Sequence, residues 1–219
     1  MANSVFDRSV LDGPEVSGST YNLVIGLVLL WGFAVNWYIV KTVTPESIMH
    51  INMWVFLIGY FASCFFGIFL FQKSDNPIIS FIGYNFVVVP FGLIVNLAVS
   101  RYSPTIVSDA IAITGMVTLI MMILGTLFPA FFQKIAGVLT VSLIVVIIVQ
   151  LVESFILKKH FGIVDWITAL IFCGYIGYDW GRANNIPKTL DNAVDSAASI
   201  YMDIINLFLA ILRILGNKK

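Results

Sequence analysis

Acidic side chains in the last two apolar segments of the sequence are the residues whose type and position could do chemistry. Asp179 ends one apolar segment, and Asp191, Asp195 and Asp203 lie at the start of the next segment and within it. An ionisable side chain is costly to bury in a membrane, so such a residue is a functional candidate by default. Carboxyl groups in this setting can hold a proton or bind a hard cation.

The last segment carries its polar residues on one face if it is an α-helix. Asp191, Asp195, Ser199, Asp203 and Asn206 then fall within an arc of about 120°. Lipid cannot solvate such a stripe, so it must face the interior of a helix bundle or water. Asp203 lies about 18 Å beyond Asp191 along the helix, too deep to reach the interface easily, and a purely structural role is disfavoured there. Asp191 and Asp195 suit a functional role or an interfacial role equally.

Asp179 ends the sequence Gly-Tyr-Ile-Gly-Tyr-Asp, and a short connection separates it from the last segment. A short connection makes the two helices antiparallel neighbours, so Asp179 can face the stripe and Asp203. Two carboxyl groups within hydrogen-bond distance in a low-dielectric site cannot both ionise cheaply, and they share a proton. Without the proton, the same oxygens suit calcium, with Asp195 as a third candidate ligand.

Other polar residues near the segment ends have less specific signals. Asp109 and Asp165 begin their predicted helices, where a role in capping is favoured. Glu153 lies in the last turns of the fifth segment, where its side chain can extend to the membrane interface. The candidate accessory residues on an ion path are Lys73, Glu153, Asp191, Asp195, Asn206 and Arg213.

The composition of the chain indicates which solvent surrounds the protein that carries these acids. Of the 219 residues, 59% are hydrophobic and 11% are charged, against about 25% charged in an ordinary soluble domain. This proportion of hydrophobic residues is larger than one buried core can hold, so the lipid bilayer is the expected partner of most of the surface. Twelve basic and twelve acidic residues leave no net charge, which argues against nucleic acid as a partner.

The apolar runs are long and do not alternate, which predicts membrane helices rather than membrane strands. We expect an all-α integral membrane protein, a seven-transmembrane-helix bundle in one domain over 21–216, with a polar tail over 1–20 and a basic end over 217–219. Segments with proline, glycine or charges separate the helices, including Gln133 to Gly137. The predicted spans are 21–40, 51–71, 77–99, 109–132, 137–157, 163–180 and 193–215.

Several classes of protein are disfavoured by what the sequence lacks. Cys64 and Cys173 lie in the middle of predicted spans, so a disulfide framework is not expected. His50 and His160 lie in predicted loops, and there is no HExxH pair and no G-x-S-x-G elbow. The last span has no lysine that could form a retinal Schiff base. We therefore expect a protein that is not an enzyme and has no tightly bound cofactor.

The C-terminal part of the sequence resembles the transmembrane Bax inhibitor motif family. The match covers the number and length of the spans, and its specific part covers about 40 residues with the family's separation between two aspartates. The residues that carry it are Gly177-Tyr178-Asp179, Asp191, Tyr201-Met202-Asp203-Ile204-Ile205-Asn206-Leu207-Phe208, Leu212-Arg213 and Gly216.

The resemblance implies a role for two of the acids. Bacterial members are seven-helix calcium-leak proteins in which an aspartate at the end of the sixth helix pairs with another in the seventh. By motif, Asp179 and Asp203 are then the pH sensor and gate, and Asp191 matches a further acid. The relatives also carry an arginine at the end of the second helix, where Lys73 is the nearest cation in this chain. Lysine lacks the bidentate fork of arginine, which predicts a looser contact.

Three functions are compatible with these residues. The leading hypothesis is a pH-sensitive passive calcium-leak channel, with calcium and protons as partners and the bacterial inner membrane as location. A proton-coupled secondary transporter would use the same acids as a relay. A membrane interaction protein would modulate a protease or stress and cell-death machinery through protein partners. The distribution of Lys and Arg among the loops does not decide the orientation.

Overall fold

The computed structural model describes residues 14–217, and these residues form helices and connecting loops without a β-strand. The predicted tail over 1–20 and the basic end over 217–219 therefore lie largely outside the described residues, and the first helix already begins at Gly18. The helices are α1 Gly18–Thr42, α2 Pro45–Met49, α3 Met53–Lys73, α4 Pro77–Val99, α5 Pro104–Leu127, α6 Pro129–Leu151 with a π-helical continuation Val152–Leu157, α7 Gly162–Ala183 and α8 Leu190–Gly216.

Capping residues and prolines fix where several helices begin. The side chains of Ser17, Asn52, Asn76 and Ser103 each accept a hydrogen bond from a backbone N–H in the first turn of α1, α3, α4 and α5, respectively. Proline follows the cap directly in α4 and α5, where its missing N–H would have had no partner in the helix.

The boundary between the fourth and fifth predicted spans is wrong. The break lies at Phe128, and the stretch Gln133 to Gly137 is inside α6. Pro129 explains the position, because proline cannot donate to the preceding turn and restricts the residue before it. The predicted capping role of Asp109 is also wrong, since α5 begins at Pro104 and Asp109 is an exposed residue in the second turn.

The described residues contain six helices that are long and apolar enough to cross a membrane. The protein is thus a multi-pass integral membrane protein, as the composition predicts. The six are Gly18–Thr42, Met53–Lys73, Pro77–Val99, Pro104–Leu127, Pro129–Leu157 and Leu190–Gly216. The helix α7 is not among them, because acids, glycines and tyrosines dilute its apolar residues. A seventh crossing stays a prediction.

The described chain groups into two compact units, which share α8. Unit 1 contains the residues up to Arg101 together with Ala183–Tyr201, and unit 2 contains Tyr102–Arg182 and the chain from Met202 onward. The apolar stretch of α8 is 72% buried, whereas that of α6 with its π-helical continuation is 11% buried. The apolar stretch of α8 is therefore mostly buried, and that of α6 is mostly exposed, as expected for a helix surface that faces lipid.

Close packing in unit 2 sets the position of α7. A Cβ atom at Gly177 would meet the ring of Phe132, and a Cβ atom at Gly125 would meet the backbone carbonyl of Gly177. Small residues of this kind allow two membrane helices to approach closely. The contact fixes α7 against α5 two residues before Asp179.

Candidate functional site

Two charged residues near the C-terminal end of α7 lie on one face of the helix. Asp179 is 6% exposed and Arg182 is 7% exposed. They are three residues apart, so their side chains are neighbours. Nη1 of Arg182 lies 3.8 Å from Oδ1 of Asp179, a distance that allows an ion pair without a hydrogen bond.

Asp203 faces Asp179 from the second half of α8. It is 6% exposed, and the two carboxyl groups lie close enough to interact with each other. We call Asp179 and Asp203 the carboxyl pair. An ionised carboxylate only accepts hydrogen bonds, so a bond between two carboxyl groups requires a proton on one of them. Within the described residues, Oδ1 of Asp179 and Oδ2 of Asp203 have no hydrogen-bond partner.

Polar contacts on both sides of Asp179 fix the end of α7. The hydroxyl of Tyr175, one turn earlier, donates to Oγ1 of Thr140 in α6 at 3.2 Å. Nε1 of Trp180 donates to Oγ1 of Thr126 in α5 at 2.9 Å. Asp179 is thus held on a helix that is attached to both of its neighbours in unit 2.

Sequence reasoning did not name Arg182 among the site residues and named Lys73 as an accessory cation, which stays a prediction. Lys73 is the exposed last residue of α3 and belongs to unit 1, whereas Arg182 lies beside Asp179 in unit 2. The signal was present in the sequence, because an acid and an arginine three positions apart share one face of a helix.

The first half of α8 holds the other two acids of the stripe, in unit 1. Asp191 and Asp195 are each 3% exposed. The hydroxyl of Ser80 in α4 donates to Oδ1 of Asp191 at 2.7 Å. The hydroxyl of Tyr21 in α1 lies 3.1 Å from Oγ of Ser196, which follows Asp195. The start of α8 is therefore fixed by buried polar contacts with α1 and α4.

Among the described residues, no group of three or more His, Cys, Asp or Glu side chains is arranged to hold a metal ion. Asp179 and Asp203 belong to unit 2, and Asp195 belongs to unit 1. Calcium binding at these three acids stays a prediction. Of the remaining accessory candidates, Asn206 is half-buried, and its amide donates to the carbonyl of Met202 in its own helix at 2.8 Å.

A second group of ionisable residues lies where α6 ends and α7 begins. Asp165 is fully buried, and its carboxylate is 2.6 Å from Nε of Arg213 and 2.6 Å from Nε2 of His160. Glu153 is 3% exposed, and it accepts from the backbone N–H of Phe161 at 3.1 Å. Its other oxygen is 3.3 Å from Nδ1 of His160. We call Glu153, His160, Asp165 and Arg213 the histidine cluster.

The histidine cluster corrects two expectations from the sequence. Asp165 lies in the first turn of α7, but its carboxylate is engaged by side chains of Arg213 and His160 rather than serving as a cap. The side chain of Glu153 is buried rather than extended into solvent, because it turns inward against the loop after the π-helical segment.

The fold and these sites define a polytopic α-helical membrane protein with ionisable side chains in its interior. The family described as "Inhibitor of apoptosis-promoting Bax1" matches residues 14–219, and the chain belongs to this family. The resemblance inferred from the C-terminal motif is thereby confirmed.

Relatives occur in bacteria and in eukaryotes. An uncharacterized protein of Helicobacter pylori strain J99 is 29% identical, over 98% of this chain and 93% of its own length. An uncharacterized membrane protein of Vibrio cholerae is 31% identical over 52% of this chain and 50% of its own. "Bax inhibitor 1" of Schizosaccharomyces pombe is 32% identical over 57% of this chain and 47% of its own.

Proposed function

We propose that this protein is a passive calcium leak of the bacterial inner membrane, gated by a proton that the carboxyl pair shares. In this proposal α7 is a seventh membrane-spanning helix. The observation that supports it is the proximity of two buried acids, Asp179 and Asp203, from α7 and α8. Buried acids of this kind mark ion paths and proton relays in membrane proteins.

The closed state is the one in which the pair holds a single proton. Arg182 lies beside Asp179, which favours the negative charge on Asp179 and the proton on Asp203. The negative charge of Asp179 and the positive charge of Arg182 then balance each other. A second proton removes the ion pair between Asp179 and Arg182, and loss of the shared proton leaves two buried carboxylates side by side. Breaking a buried ion pair and placing two like charges together are both destabilising, so both changes favour opening.

The expected pH profile follows from this charge balance. The leak is lowest where the pair holds one proton, and it rises on acidification and on alkalinisation. On the alkaline side, calcium competes with protons for the same carboxylate oxygens, which are hard ligands suited to this ion. The neighbouring helices would move apart as the hydrogen bond between the two acids breaks.

The test is calcium flux into proteoliposomes that contain a calcium-sensitive dye, over a pH series. In D203N the amide can donate to Asp179 at every pH, so we expect a low leak with no rise on the alkaline side. In the double variant D179N/D203N, the ion pair between Asp179 and Arg182 is lost, and we expect a leak about tenfold or more above the wild-type minimum.

D109N is the matched control, because Asp109 is an exposed acid of α5, and it should retain the wild-type profile. Unchanged rates and pH dependence in both variants of the carboxyl pair would contradict the proposal. Solute uptake against a gradient, driven by protons, would instead identify a transporter.

The names of relatives favour a second candidate function. A relative is called "Bax inhibitor 1", which supports a membrane protein that modulates cell-death or stress machinery through protein partners. This function predicts partners that co-purify and a phenotype that survives loss of both acids of the carboxyl pair. The leak predicts that the phenotype is lost with D179N/D203N.

A further inference from the structure

The loop between α6 and α7 returns His160 over the end of the preceding helix. The π-helical segment Val152–Leu157 ends at Lys158, whose φ of 48° is the one positive value at a non-glycine position among the described residues. The backbone N–H of Lys159 donates to the carbonyl of Glu153 at 3.2 Å. This tight turn reverses the chain and places the imidazole between Glu153 and Asp165.

Both ring nitrogens of His160 face carboxylates. Nε2 is 2.6 Å from Oδ2 of Asp165, and Nδ1 is 3.3 Å from Oε2 of Glu153. A neutral imidazole has one N–H and one lone pair, whereas an imidazolium has two N–H groups. The contact between Nε2 and Asp165 is a hydrogen bond, whereas the contact between Nδ1 and Glu153 is an ion pair that requires the protonated ring.

The charges around His160 balance only when the ring is protonated. Glu153 and Asp165 are the negative groups, and Arg213 from α8 is the permanent cation, with its side chain bonded to Asp165. Asn217 adds a neutral amide 3.4 Å from Asp165. The loop also carries two exposed lysines, Lys158 and Lys159. Nζ of Lys159 lies 5.2 Å from the centre of the Phe161 ring.

Loss of the proton from His160 removes its ion pair with the buried carboxylate of Glu153. His160 is 41% exposed, so protons can reach the ring from water. Arg213 keeps Asp165 neutralised in either state. The contact between Nδ1 and Glu153 depends on the ring charge, and it adds to the backbone hydrogen bonds that Phe161 and Lys159 donate to Glu153.

We propose that His160 is a pH-operated latch that holds the loop 158–161 against Glu153 and Asp165 at acidic pH and releases it as the pH rises. Release frees the backbone N–H of Phe161 from Glu153 and loosens the first turn of α7. The latch is separate from the calcium leak, because Asp165 lies about 21 Å along α7 from Asp179 and the latch needs no calcium.

The test is hydrogen–deuterium exchange of the full chain in lipid nanodiscs, corrected for the intrinsic exchange rate at each pH. In the wild type, protection of the segment around Phe161 should fall about tenfold between pH 5 and pH 8, because the ion pair between His160 and Glu153 is lost. The matched control is H50Q, because His50 is the exposed histidine after α2 and its removal should leave this pH dependence intact.

Two variants should remove the pH dependence in opposite directions. H160Q carries no charge at either pH, so the segment should be unprotected at both. E153Q removes the carboxylate that the neutral ring repels and retains an oxygen for Phe161, so the segment should be protected at both. Protection in the wild type that does not change with pH would overturn the proposal. The same follows if H160Q or E153Q keeps the wild-type change.

Discussion

Unit 2 contains two groups of buried acids whose negative charges are balanced in different ways. In the carboxyl pair, two acids contact each other, and the nearest cation lies 3.8 Å away. In the histidine cluster, the acids are separated by cations, with two contacts of 2.6 Å to one carboxylate. Both groups are more than nine-tenths buried at their carboxylates.

The difference lies in what balances the charge. A permanent cation at hydrogen-bond distance fixes Asp165 in one state, which is the behaviour of a structural ion pair. In the proposed gate, the carboxyl pair needs a proton to balance its charge, because its permanent cation lies 3.8 Å from one carboxylate without a hydrogen bond. Buried acids alone thus do not identify a gate, and the distance between the permanent cation and the carboxylate distinguishes the two cases.

Replacement of Arg182 tests the carboxyl pair and should have the largest effect. In R182Q a second proton no longer breaks an ion pair with Asp179, so the rise of the calcium leak on acidification should disappear, a change of about tenfold or more. Calcium flux at acidic and neutral pH measures it. A control is R101Q, because Arg101 lies in the exposed loop after α4 and its removal should retain the acidic rise. Retention of that rise in R182Q would remove Arg182 from the gate.

Replacement of Arg213 tests the histidine cluster and should act on stability rather than on the leak. In R213Q the buried carboxylate of Asp165 loses a charge-assisted hydrogen bond of 2.6 Å, which should lower the free energy of unfolding by about 1.5–3 kcal/mol. Thermal unfolding in detergent measures the loss. We expect the pH profile of the leak to keep its shape. A changed profile with unchanged stability would reverse the roles assigned to the two groups.

The close packing next to the carboxyl pair can be tested by replacing Gly177. In G177A the new methyl group meets the ring of Phe132, and overpacking of this kind lowers stability by about 1–3 kcal/mol. G137A is the matched control, because a Cβ atom at this position of α6 has no neighbour within 4 Å. The first variant should also raise the minimum leak, since it displaces α7. Equal behaviour of both variants would show that this contact does not position Asp179.

The smallest expected effect concerns the hydroxyl of Tyr175. Y175F removes one neutral hydrogen bond to Thr140 in α6, which should lower stability by about 0.5–1.5 kcal/mol and leave the gate intact. Unfolding and flux measured on the same preparation separate the two properties. A large change in the pH profile would mean that this hydroxyl takes part in proton sharing.

Much of the helical architecture could be predicted from the sequence, because lipid imposes long uninterrupted apolar runs. The span predicted over 77–99 coincides with α4, whose cap and proline mark its start. The break between α5 and α6 was placed too late, since charged and small residues after Phe131 outweighed Pro129 as a signal. The apolar run continues across that proline, so composition alone does not reveal the turn.

The candidate site was predictable only in part. Asp179 and Asp203 could be paired from a family motif and from the short connection between their helices. The position of Arg182 required only helical spacing, and Lys73 was preferred because relatives carry a cation at the end of another helix. The histidine cluster depends on the left-handed backbone of Lys158, and hydrophobic periodicity carries no information about such a turn.

The most direct test of the central claim is the distance between the carboxyl oxygens of Asp179 and Asp203 in an experimental structure at the pH of the lowest leak. Proton sharing predicts a nearest oxygen–oxygen distance of about 2.5–3.0 Å. A separation beyond about 6 Å, with no water or cation between the two groups, would contradict it.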